Sequence, residues 1–62
     1  MFRNELLSIV WEKGRVEVGE LARLLNTTTD LVEMEANLCA SNGWLRQLDS
    51  LIVATPSTNM QQ

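Results

Sequence analysis

Apolar positions recur at helical spacing through Phe2, Leu6, Leu7, Ile9 and Val10, and Gly14 follows Lys13 as a stop, so the pattern predicts a first helix over about 3–13. Trp11 falls near its end. Arg15-Val16-Glu17-Val18 then alternates polar and apolar at period two, which predicts a very short strand between helices. Val18, Leu21, Ala22 and Leu25 return to helical spacing and line one side of a second helix, with Glu17 placed to cap its start and Glu20 three positions on. Thr28 is the natural cap for a third helix, since its hydroxyl can accept an unpaired backbone N–H; Asp30 and Glu33 suit the positive end of that helix, and Asn42-Gly43 closes it. Trp44–Leu48 and Leu51–Ala54 are strand-like runs separated by Asp49-Ser50, the pattern of a tight hairpin. Leu51–Ala54 is expected to be the outer strand, with unpaired backbone groups.

At 100° per residue, the third helix carries two apolar stripes where one would suffice. Val32, Ala36 and Cys39 form one, of small residues suited to a core; Leu31, Met34 and Leu38 form the other. If the first faces the core, the second faces outward, where side chains of that size mark a docking or dimer surface. The alternative is that a tiny domain needs both stripes, with Leu31, Met34 and Leu38 packed under the first helix or against Trp44 and the hairpin. Glu35 lies between the stripes, either as a water-exposed seam or as a paired carboxylate at an interface. Trp11 and Trp44 are expected at the core or its rim, with an interface anchor as the functional option.

The order helix, short strand, helix, helix, two-stranded hairpin is an α+β arrangement, that of a winged helix-turn-helix with the hairpin as the wing. One domain over 1–54 is expected, followed by a flexible polar tail over 55–62. The stretch Lys13-Gly14-Arg15-Val16-Glu17-Val18-Gly19-Glu20-Leu21-Ala22-Arg23-Leu24-Leu25-Asn26-Thr27, with Asn42-Gly43-Trp44-Leu45, resembles the small winged-helix regulators. It is similar to DeoR-type N-terminal domains and to the FeoC-like regulators of ferrous-iron transport. The FeoC resemblance implies a cysteine cluster in or after the wing for an iron-sulfur centre, whereas this chain has Cys39 alone, inside a helix. That cofactor is therefore not carried over.

Charge alters what the resemblance implies. The 62-residue chain has five basic and eight acidic residues and a formal net charge of −3, which opposes free association with nucleic acid. No Lys or Arg lies between Arg23 and Arg46, while the third helix carries Asp30, Glu33 and Glu35, the wrong sign for lying against phosphates. With no histidine and one cysteine, the usual metal sites and disulfides cannot be assembled within the chain, so neither metal nor cofactor is expected. Without histidine, tyrosine or a glycine-rich phosphate loop, no enzyme chemistry or small-molecule site is expected either. Cys39 is expected to be a small buried hydrophobe. No apolar run approaches the roughly 20 residues of a membrane helix, and the start does not resemble a signal peptide, which points to a cytoplasmic chain with no membrane partner.

Two functional readings follow. The favoured one is a small acidic regulatory or adaptor module that binds a protein, or itself as a homodimer, through Leu31, Met34 and Leu38 on the third helix and Leu51 and Ile52 on the outer strand. The alternative is a transcription regulator that binds DNA as a dimer, with Thr27, Thr28 and Thr29 at the start of that helix and Arg15, Arg23 and Arg46 as its cations; Asn37 and Ser41 are further base-reading candidates.

Overall fold

The computed structural model describes residues 2–59. Its elements run α1 Phe2–Lys13, β1 Arg15–Glu17, α2 Val18–Leu24, α3 Thr29–Ser41, β2 Leu45–Leu48 and β3 Leu51–Ala54. The result is an α+β fold of three helices and one three-stranded antiparallel sheet.

Each helix ends where its sequence supplies a residue tolerant of positive φ. Gly14 (φ 81°) donates its N–H to the Val10 carbonyl at 2.9 Å and stops α1. Asn26 (φ 56°) does the same for α2: its N–H bonds to Arg23 and the next N–H, of Thr27, reaches back to Ala22. At the end of α3 the same pair of bonds runs from Gly43 to Ala40 and from Trp44 to Cys39, both at 3.0 Å. Thr28 caps α3 as expected, accepting the Leu31 N–H at 3.2 Å. Glu17 does not cap α2 with its side chain; its carboxylate instead accepts a hydrogen bond from the Ser50 hydroxyl at 3.1 Å, across the sheet.

The strand order is β1-β3-β2, which corrects the expectation that Leu51–Ala54 is an outer strand. The short strand β1 fills the free edge of β3, in the register Arg15–Val53, Val16–Ile52 and Glu17–Leu51, and the bonds Ala54 N to Gly14 O and Val18 N to Ser50 O extend the pairing at both ends. On the other edge, β2 pairs Leu45–Ala54 through Leu48–Leu51 across the Asp49-Ser50 turn, where Asp49 takes a positive φ of 57°. With both edges occupied, β3 has no free backbone ladder to offer a second copy. Ile52 is fully buried and Leu51 half-buried, so the surface expected on that strand edge is absent.

The core draws on every element: Leu6, Leu7 and Val10 from α1, Val18, Leu21 and Ala22 from α2, Val32, Ala36 and Cys39 from α3, and Val16, Leu45 and Ile52 from the sheet. Trp44 packs against it half-buried, whereas Trp11 is 45% exposed and lies outside the buried core. The expectation that the tail frays from residue 55 is corrected for its first residues. Thr58 is fully buried: its hydroxyl donates to the Trp44 carbonyl and accepts the Thr55 N–H at 2.8 Å. The Thr55 hydroxyl in turn donates to the Gly43 carbonyl at 2.9 Å, so this turn closes over the α3–β2 junction. The remainder of the expected tail, residues 60–62, lies outside the described residues.

Candidate functional site

The caps and the small core stripe fix the rotation of α3. Val32, Ala36 and Cys39 are fully buried, and Leu31, Met34 and Leu38 stand 50%, 63% and 54% exposed on the other side. Packing under α1 or against the hairpin, the alternative use for the second stripe, does not occur. One flank of the stripe is closed by an ion pair: Arg3 Nε donates to the Glu35 carboxylate, and the guanidinium lies 5.5 Å from the centre of the Trp44 ring. Glu35 is therefore paired within its own chain, and is neither a bare seam nor a carboxylate waiting at an interface. Its pairing holds the pKa of Arg3 above the ordinary value. On the other flank are the exposed carboxylates Asp30 and Glu33, which make no ion pair among the described residues.

Two of the five polar side chains that could read a nucleic acid here are committed to the helix's own backbone. The Thr28 hydroxyl holds the Leu31 N–H, and the Ser41 hydroxyl donates to the Asn37 carbonyl at 3.0 Å. The three threonines sit at the start of α3, and Arg23 stands on the last turn of α2, 3.7 Å from Glu20. Lys13 reaches the same carboxylate at 4.0 Å.

Arg15 and Arg46 lie elsewhere. Both are in register with Val53, one from each outer strand, so the three side chains form a row on one face of the sheet. The next row on that face is Glu17, Leu51 and Leu48, because alternate residues share a face. The opposite face, with Val16, Ile52 and Leu45, is buried. The outer face thus presents two arginines, one carboxylate already bonded to Ser50, and three apolar side chains, of which Leu48 is 51% exposed. Neither arginine makes an ion pair among the described residues. Sequence reasoning found these two cations but not their alignment, because the alignment depends on β1 joining β3.

Cys39 is buried and free, and its Sγ lies 3.8 Å from the Glu35 carboxylate. Burial, reinforced by that negative charge, pushes the thiol up to about 11, away from a reactive thiolate. Among the described residues no group of three His, Cys, Asp or Glu is placed to hold a metal ion, and no helix is long and apolar enough to cross a membrane. No protein-family model, curated protein or solved structure matches the chain.

Proposed function

We propose that this chain is a winged helix-turn-helix module that acts as a small regulator or adaptor by binding polypeptide, with α3 as the docking helix. The element order and the β1-β3-β2 sheet support the winged-helix reading, the β2–β3 hairpin being the wing. The observation that carries the function is the exposure of Leu31, Met34 and Leu38 on the face where a DNA-reading helix of this type presents polar and basic groups.

About half of each side chain remains to be covered, worth about 1–1.5 kcal/mol apiece and about 3–4 kcal/mol together. The cost of bringing two molecules together starts at about 4 kcal/mol, so the stripe alone does not hold a partner. Its flanking carboxylates must contribute as well, and they select a partner with cations beside its apolar groups. A second reading, DNA binding by the same fold, is favoured by the two uncommitted arginines of the sheet face. Against it stand the acidic flank of α3 and the hydroxyls of Thr28 and Ser41, already spent on the helix itself.

A photoreactive amino acid in place of Met34 tests the choice. Cross-links to polypeptide, from this chain or another, are expected, together with no binding of a labelled random duplex at low salt. Cross-links to duplex and none to polypeptide overturn the proposal.

A further inference from the structure

Two surfaces of this chain are complementary to each other, and the fold keeps them on different elements. The outer face of α3 sets three exposed apolar side chains beside Asp30, with Glu33 further round the same flank; the outer face of the sheet sets Leu48, Leu51 and Val53 beside Arg15 and Arg46, with Glu17 as its one carboxylate. Four of the six large apolar side chains exposed among the described residues (Leu31, Met34, Leu38 and Leu48) belong to these two faces. The two carboxylates and the two guanidiniums make no ion pair within their own chain among the described residues, so both pairs are available to a neighbour.

We infer that the occupant of the α3 face is a second copy of this chain, docked through the outer face of its sheet. This rests on the reading of α3 as a protein-docking helix and names its partner. The geometry is that of a helix laid across a sheet, the usual partner for an amphipathic helix inside α+β domains, here formed between molecules. The crossed pairing is the one in which opposite charges predominate: α3 carries no cation to answer its own carboxylates, and the one carboxylate on the sheet face, Glu17, is already bonded to Ser50. A crossed contact closes into a symmetric pair when both faces are engaged reciprocally and otherwise extends head to tail. Either form satisfies the inference.

Sedimentation equilibrium over a wide concentration range at low salt tests it, with two doubly reversed variants: Asp30→Arg with Glu33→Arg, and Arg15→Glu with Arg46→Glu. All four side chains are exposed, and circular dichroism checks that each variant folds. The parent is expected to associate, more weakly as salt rises. Each reversed variant alone is expected to associate at least about ten-fold more weakly, since each would place like charges across the contact, and an equal mixture of the two is expected to recover the parent behaviour. Adding Leu38→Ser to both variants is expected to remove that recovery, which separates the contact from simple attraction between oppositely charged molecules. A parent that stays monomeric at every concentration, or reversed variants that associate as the parent does, overturns the inference. A monomeric parent whose residue-34 probe still cross-links to another polypeptide retains the docking role of α3 and rejects only the second copy.

Discussion

Arg15 and Arg46 face the same residue of the middle strand, Val53, which roots two arginine side chains on one sheet face with their Cα atoms about 10 Å apart, two strand spacings. As a nucleic-acid contact this is sparse. Neutralising two phosphates gives a slope of log affinity against log salt of about −2. Any residual duplex binding measured by fluorescence anisotropy is expected to show no steeper dependence and to disappear by about 0.15 M salt, near physiological ionic strength. A slope steeper than about −4 would mean phosphate contacts well beyond these two side chains.

Ile52 and Leu38 were both candidate contact residues, yet the fold gives them opposite roles. Ile52 is fully buried under α1, so Ile52→Ala is expected to cost about 2–5 kcal/mol in urea unfolding of the dilute monomer. That is most of the on the order of 3–9 kcal/mol available to a chain of this size. Leu38→Ala is expected to stay within about 0.5 kcal/mol under the same conditions. Equal costs would mean that α3 is rotated from the position described.

The Thr58 hydroxyl joins the turn after β3 to the carbonyl of Trp44 and to the Thr55 N–H. Replacing it with the isosteric Thr58→Val removes both bonds and leaves buried backbone groups unpaired, at an expected cost of about 1–3 kcal/mol. Amide exchange at Thr55 is expected to accelerate in parallel. An unchanged unfolding midpoint would show that the turn contributes nothing to the domain.

Cys39 makes stability depend on pH in the alkaline range. Its thiol titrates near 11 in the folded chain, against about 9.0 for an unhindered cysteine. As pH rises past 9 the unfolded chain loses this proton first and therefore binds fewer protons than the folded one, so stability falls between pH 9 and 11. The loss approaches about 2–3 kcal/mol at the upper end. Cys39→Ala is expected to flatten this part of the curve, although it lowers stability at neutral pH by opening a small cavity. An identical alkaline slope in the variant would assign the effect to other groups.

Much of α3 was legible in the sequence, because its information is local. The cap at Thr28, the stop at Asn42-Gly43 and the two stripes are set by residues three or four positions apart on a single helix. The sheet was legible only in part. The hairpin is a local signal, but β1 is three residues long and its partner lies more than thirty positions away, so nothing near Arg15 announces that Val53 will stand beside it. The loss of the expected edge on β3 and the alignment of Arg15 with Arg46 both follow from that one pairing. The turn at Thr55–Thr58 was hidden for a different reason. Its composition is that of a loop, and its hold on Trp44 exists only once α3 and β2 have brought that carbonyl within reach.

Methyl NMR of the chain, followed by dilution from a concentrated sample at low salt, examines the docking of α3 on a second copy in one experiment. The Met34 and Leu38 methyl signals are expected to move with concentration together with Leu48 of the sheet face, while Ile52 in the core stays fixed. Signals of Met34 and Leu38 that stay constant over the whole range, or that move only when duplex DNA is added, would contradict it.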